Sequence, residues 1–434
     1  MKNPGIRACD LQHVALVLAA LISLALPAML QAQFTFTTNN GAITITRYTG
    51  SGGAVVIPSV TNGYPVTAIG TNVFRSQTNL TSVTIPDSVT SICYNAFYTC
   101  SSLTSVTIPD SVTSIEGFPF ANCHGLTNIS VATGNQAYVS ISGVWFDKLQ
   151  TTLIGFPDGL TASYAIPNSV TNIGEEAFEG CLGLTNVTIP NNVVTIGDNA
   201  FRFCYGLTRV TIPDSVTRIG NYAFYWCTGL ASLTIGNNVT TIGNNAFNFC
   251  ELLGKVKIGN SVTSIGNFAF KNCTYLTNLT IGNNVTNIGA YAFWQCDYLT
   301  TAYFLGNAPS VNSGPGSADT TVFQDDAYGQ LGMVFYLPGT TGWGSTFGGW
   351  HTHLWYQPNP MIMGSGYGLG ATSNGFAFTI SWATNVPVVV EVCTNLANPV
   401  WKPVTTNALV NGTNHFSDPD WTNYPGRFYR VRSP

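Results

Sequence analysis

Apolar and polar residues follow one another in an order that returns every 23 residues along most of the chain. One period, Leu207–Gly229, reads LTRVTIPDSVTRIGNYAFYWCTG. Its leading leucine recurs at Leu80, Leu103, Leu126, Leu184, Leu207, Leu230, Leu253, Leu276 and Leu299. Seven of the eight intervals are 23 residues; the eighth, Leu126 to Leu184, is 58 and places an insertion there. A phenylalanine column runs through Phe74, Phe97, Phe120, Phe178, Phe201, Phe224, Phe247, Phe270 and Phe293. A fixed period of this length predicts a solenoid, because one unit cannot bury its own apolar face and neighbouring units can.

Within the period, Val210 and Ile212 alternate with Arg209 and Thr211, the pattern of a half-buried strand. Pro213 stops ladder pairing and turns the chain. Val216 and Ile219 form a second short apolar segment, closed by Gly220. Ala223, Phe224 and Cys227 stand at i, i+1 and i+4, which predicts one helical turn over Asn221–Cys227, too short to stand alone. Stacked units would pair their strands in parallel ladders about 4.8 Å apart.

The rest of the chain departs from the period in an orderly way. Phe34–Tyr48 alternates Phe, Ile and Thr, so residues 33–54 are expected to cap the first coil. Val55–Asn79 reads as a first, stretched unit with a turn at Asn62-Gly63-Tyr64-Pro65, and the solenoid is expected to span 55–301. Inside the extended unit, about 126–183, Tyr138–Phe146 and Thr151–Phe156 predict two strands joined around Asp147-Lys148. Residues 302–356 would close the far end, with Trp343, Trp350 and Trp355 over the open core. Pro358–Pro360 marks a linker. In 357–434 the period is gone, and Phe376–Ile380, Val388–Val392, Trp401–Thr405 and Arg427–Val431 predict a small antiparallel β-sandwich.

The run LTSVTIPDSVTSI followed by Ala-Phe and Cys resembles the BspA-like leucine-rich repeats, a bacterial surface and secreted class. The resemblance covers about Val55–Leu305, and even Thr133–Ile166 looks like the extended repeat of that family. It implies leucine-rich-repeat coils, with an adhesive or protein-binding role and no shared catalytic residues. The chain departs from the pattern at Cys93 and Glu116, where the template has Gly, and at Pro119, which replaces Ala. The ending SDPDWTNYPGRFYRVRSP resembles tail modules of secreted proteins from bacteria of the verrucomicrobial type and implies no activity. The fold expected is thus a β-rich solenoid with short strands and one helical turn per repeat, followed by the sandwich.

Composition narrows the function. Only 8% of the 434 residues are charged, against about 25% in ordinary globular chains; Thr, Asn, Ser and Gly must supply solubility. The net charge is -4 with no basic stripe, which argues against a nucleic-acid partner. Residues 1–32, with Lys2 and Arg7 ahead of the apolar run Val14–Leu26 and with Ala32 at a cleavage site, read as a secretory signal peptide. After its removal no apolar run is long enough to span a bilayer, so the expected location is secreted or cell-surface, outside a bacterial cytoplasm.

Candidate chemistry is sparse. The cysteine column Cys100, Cys123, Cys181, Cys204, Cys227, Cys250, Cys273 and Cys296 could be bridged between coils in an oxidising compartment. One small buried thiol per coil is the preferred reading. With no CxxC and no third ligand beside His351 and His353, no metal is expected. Glu175-Glu176 and Asp325-Asp326 are adjacent pairs that need not converge, and no hydrolase or phosphate-loop motif occurs. No enzyme, catalytic residue or cofactor is expected. The exposed Thr column (Thr84, Thr107, Thr188, Thr211, Thr234 and Thr280) is what β-propensity favours. The aromatics Tyr205, Tyr222, Tyr225, Trp226, Tyr291, Trp294 and Tyr298 fall at variable positions around the turn, with Phe268 and Tyr275 beside them. They either pack as an outer layer on neighbouring coils or bind a protein or cell-surface ligand, possibly a glycan.

Overall fold

The computed structural model describes residues 33–312, 322–323, 332–355, 361–364, 369–372, 375–382, 387–410 and 412–432. The signal segment 1–32, the linker 358–360 and the pair Asp325-Asp326 lie outside them. The fold is a β-solenoid with antiparallel sheets near its C-terminal end. The chain divides into two compact units: Met1–Ser163 with Pro167–Leu184 and Asn199–Cys204, and Tyr164–Ile166 with Thr185–Asp198 and Tyr205–Pro434.

The first unit opens with Phe34–Asn39 paired antiparallel to Ala42–Tyr48. Asn40 and Gly41 take φ of 49° and 78°, the left-handed pair that a tight hairpin turn demands. Ala42–Tyr48 then starts a parallel ladder with Tyr64–Ile69, Ser91–Ile92 and Ser114–Ile115. A second ladder pairs Gly53–Val56 with Leu80–Thr84, and Ser105–Ile108 with Asn128–Val131. The insertion is a three-stranded meander, Tyr138–Ile141, Val144–Asp147 and Thr152–Gly155, rather than the two strands expected. The stretch read as one strand folds back at Ser142 and Gly143, whose φ values of 51° and 82° make a second two-residue turn. Thr152–Gly155 runs parallel to Asn172–Ile173 and so returns the insertion to the solenoid ladder.

The second unit has two parallel ladders of its own, which pair Arg209–Thr211 with Ser232–Thr234, and Arg218–Ile219 with Thr241–Ile242, Ser264–Ile265, Asn287–Gly289 and Ser310–Asn312. A further parallel ladder runs through Lys255–Lys257, Asn278–Ile281, Thr301–Phe304, Met333–Tyr336 and Trp350–Leu354. Two antiparallel sheets follow. One is built on Gly375–Ser381 paired with Thr413–Asp418; the other has Pro387–Cys393 between Lys402–Ala408 and Phe428–Arg432. Phe378, Ile380, Val388, Val390, Leu409 and Phe416 form their core.

The turn segment is not helical. Tyr222 and Trp226 have φ of 54° and 60°, the left-handed region that an α-helix cannot contain. Tyr225 N–H donates to Tyr222 O, and Cys227 N–H to Phe224 O, as in consecutive β-turns. The N–H groups of Tyr222, Phe224 and Trp226 instead reach the carbonyls of Asn244, Ala246 and Asn248 on the next coil, at 2.7–2.9 Å. A helix would bond these donors within its own coil. Stacking offers each a partner one coil away, so the turn becomes a third inter-coil ladder. The i, i+1, i+4 spacing that suggested a helix reflects which side chains face inward: Ala223, Phe224 and Cys227 are all fully buried.

The core is a file of rings. Phe74, Phe97 and Phe120 stack at 4.9 Å in the first unit, where Phe178 and Phe201 stack at 4.8 Å. Phe224, Phe247, Phe270 and Phe293 stack at 5.0–5.3 Å in the second. There the file continues through Phe323 to Trp350, whose indole lies 4.2 Å from Phe323 and is buried. Trp343 packs against Phe304 and Tyr336, and Trp355 against Tyr303. The cysteine column is buried, and no disulfide joins the described cysteines. The thiols of Cys100, Cys123, Cys204, Cys250, Cys273 and Cys296 donate to the phenylalanine carbonyl 26 residues earlier, at 3.1–3.3 Å. That weak donor explains why a thiol stands where a methyl group would fit as well. Outside the column, Cys93 is half-buried and Cys393 is buried. Among the described residues no helix is long and apolar enough to cross a membrane.

Candidate binding surface

The residues singled out from the sequence lie on the turn segments of the second unit, apart from one another in degree of exposure. Tyr205, Tyr222, Tyr291 and Tyr298 are exposed, Tyr298 by 51%, while Tyr225, Trp226 and Trp294 are half-buried. The repeats place two residues in the left-handed region, the one before Ala and the one before Cys of the template; in the coil of Pro119, Gly117 takes the place of the first. Asn fills the first of these sites at Asn95, Asn199 and Asn245, as its low left-handed cost favours. Tyr222, Phe268 and Tyr291 fill the same site with rings, and Trp226 and Phe249 fill the second.

These rings form three groups. Trp226 stacks on Phe249 at 4.4 Å, with Tyr205, Tyr225 and Tyr222 meeting edge to face beside them. Phe268 and Tyr291 stack at 5.3 Å with planes 6° apart, and Trp294 stands almost perpendicular to Tyr291. Tyr275 and Tyr298 stack at 5.2 Å, each about half exposed. The seven residues are therefore brought into neighbouring groups on one type of segment, half packed and half open. Rings pack coil on coil, and their outer faces remain in solvent. Phe249 and Lys271 were missed. Lys271 stands directly after a column phenylalanine, where other coils carry Tyr98, Arg202, Tyr225 or Trp294. Arg75 and Arg202 are cations in the same column, so nothing in the sequence marked Lys271 out.

A second group of polar residues is enclosed in the first unit. Glu175 points outward, but Glu176 turns in and meets Glu179; both are buried, as is Asp158 from the insertion. The Tyr94 hydroxyl donates to Glu176 Oε1 at 2.5 Å. Tyr98 Oη and Asn122 Nδ2 donate to Glu179 Oε1 at 3.1 and 3.0 Å, and Arg202 Nη1 lies 3.6 Å from it. Glu116, one of the departures from the template, accepts the Tyr94 N–H at 3.2 Å. Burial, then the charge of Glu179, raises the Glu176 carboxyl to about 7, against the opposing Tyr94 hydrogen bond. Burial raises Glu179 as well, with Arg202 opposing. Asp158 is raised by burial despite a Cys181 hydrogen bond. His124 Nδ1 sits 3.8 Å from Asp158, and burial lowers its pKa. With Glu176 and Glu179 essentially sealed from solvent, these groups join the insertion to the coils and offer a substrate no access.

Three stretches, residues 67–161, 155–258 and 194–314, match the family description BspA type leucine rich repeat region, with six copies. Among solved structures, a leucine-rich repeat protein from Eubacterium ventriosum is 24% identical over 67% of this chain and 95% of that one, with a TM-score of 0.48. A leucine rich cell surface protein from Faecalibacterium prausnitzii is 24% identical over 63% and 94%, with a TM-score of 0.41. A leucine rich repeat protein from T. pallidum is 26% identical over 56% and 88%, with a TM-score of 0.27. No curated protein matches the chain.

Proposed function

We propose, because the chain belongs to the BspA-type leucine-rich repeat family, that it is a non-enzymatic binding protein working outside the bacterial cytoplasm. Its aromatic turn segments would hold a partner borne on another surface. The observation that carries this reading is the placement of exposed Tyr222 and Tyr291 on left-handed backbone. A bulky residue there costs about 1–2 kcal/mol relative to glycine, and such strain collects where a side chain is needed for function. Asn serves the same site elsewhere in this chain, so the coil itself does not require a ring. Sparse charge around the rings suits a contact that must shed water. The apolar leader at 1–32 supports export.

The test uses the full chain without its leader, immobilised and exposed to surface-protein extracts and to a polysaccharide panel. A retained partner should be lost at least tenfold by the double variant Tyr222→Asn/Tyr291→Asn, which keeps the backbone preference and removes both rings. Equal retention by the variant would sink the assignment of these segments.

A further inference from the structure

Lys271 is surrounded by rings. Its Nζ lies 4.4 Å from the Trp294 ring centroid and 5.4 Å from that of Phe268. Phe268, Lys271, Tyr291 and Trp294 line one shallow cleft. From residue 266 to 298 the only charges are Lys271 and Asp297, and among the described residues Lys271 takes part in no ion pair. A cation resting on an indole face is held by the ring quadrupole alone. It covers the surface that an apolar ligand face would use, and it lacks the carboxylate that would bind it more strongly.

We propose that this cleft binds a uronic acid residue of an acidic polysaccharide, with the sugar ring against Trp294 and Tyr291 and its carboxylate paired with Lys271. The proposal rests on the reading of the turn segments as a binding face and names the ligand class that face selects. A neutral sugar would find rings but would have to displace the ammonium with nothing in return. A cationic ligand would meet Lys271 as a like charge. An anionic sugar draws the ammonium off the indole, pairs with it and frees the ring face for stacking, so both halves of the ligand are used. Tyr275 and Tyr298, four residues further along the same two coils, offer a second stacked and exposed pair for the next residue of a polymer.

The experiment is calorimetric titration of the full chain, without its leader, with oligogalacturonate and with the same oligomer methyl-esterified. Oligogalacturonate should bind saturably and weaken with salt. Methyl esterification or Lys271→Met should weaken binding at least tenfold, Trp294→Ala should abolish it, and Lys271→Arg should restore most of it. Lys271→Met leaves the stem and all the rings, and an unchanged melting midpoint certifies its fold. Equal binding of the esterified oligomer, or no effect of Lys271→Met, overturns the acidic-sugar inference. If neither oligomer binds while Tyr222→Asn/Tyr291→Asn still releases a captured protein, this inference falls and the binding face stands. If that variant also releases nothing, both fall.

Discussion

Replacing Glu176 by Gln removes a buried charge while keeping the oxygen that accepts from Tyr94. The Glu176 carboxyl is held at about 7 by burial, against an ordinary 4.5. At about 1.4 kcal/mol per tenfold change in the ionisation constant, that difference corresponds to about 3 kcal/mol. Its sign follows from proton counts. Below pH 4.5 both folded and unfolded forms carry the proton, and the carboxyl contributes its full stability. Between 4.5 and about 7 the unfolded form loses the proton first, so stability falls as pH rises. Above about 7 both forms are ionised and the loss is complete. The Gln variant has no such proton, so the wild type should lose about 3 kcal/mol relative to it between pH 4.5 and 8. Glu176 Oε2 has no hydrogen-bond partner, and an amide N–H₂ in its place carries a fixed cost of about 1–3 kcal/mol. That cost shifts the variant equally at every pH and leaves the difference in slope intact.

The assay is amide hydrogen exchange on Thr152–Gly155 and Asn172–Ile173, the strands beside the carboxylates, because a repeat array can open locally without unfolding as a whole. Protection in the wild type should fall from pH 5 to pH 8, after correction for intrinsic exchange, and the fall should be smaller in Glu176→Gln. Parallel pH profiles in the two proteins would refute the claim that Glu176 is folded in its protonated form.

Three further changes test the packing. Gly155→Ala would place a Cβ 2.1 Å from a Phe118 ring carbon and should lower stability by about 1–3 kcal/mol, seen as a lower melting midpoint. Asn244 accepts the Asn267 N–H at 2.8 Å, in a ladder that begins at Asp198 and passes through Asn221. Asn244→Ala should cost about 1 kcal/mol, and Asn244→Asp, which keeps the acceptor, should cost less in the same melt. Cys250→Ala removes the thiol that donates to Phe224 O at 3.3 Å and should cost about 1 kcal/mol, whereas Cys250→Leu should cost more because the site is filled.

The period and its inward side chains were legible because burial dictates them: Val210, Ile212, Val216, Ile219, Ala223, Phe224 and Cys227 are all buried. All four strands expected after residue 361 lie within three residues of their places, while a further one, Thr413–Asp418, carried too weak an alternation to be seen. The turn was misread because periodicity reports which side chains face the core and not where the backbone N–H groups go. Ser142-Gly143 was passed over as a turn because Tyr138–Phe146 alternates across it. The convergence of Glu176, Glu179 and Asp158 could not be read by adjacency. Glu176 and Glu179 occupy different template positions, and the tyrosines that receive them come from coils about 80 residues earlier.

Once ring file, thiol column and three ladders have fixed most of a coil, the positions before Ala, after Phe and before Cys are the ones left free. In the first unit they carry Glu176, Glu179, Tyr98 and Asn122, which point toward one another and fasten the insertion. In the second unit the same positions carry Tyr222, Tyr291, Lys271, Trp294 and Trp226, whose outer faces remain in solvent. One backbone thus supports two uses, and the choice is made by the side chain alone. A carboxylate at these positions needs an enclosed partner, because burial without one is costly. A ring needs none, and it can stand at the surface on strained backbone. The rings of the second unit still pack coil on coil, but Asn at the same backbone sites in other coils shows that the coil itself does not demand a ring.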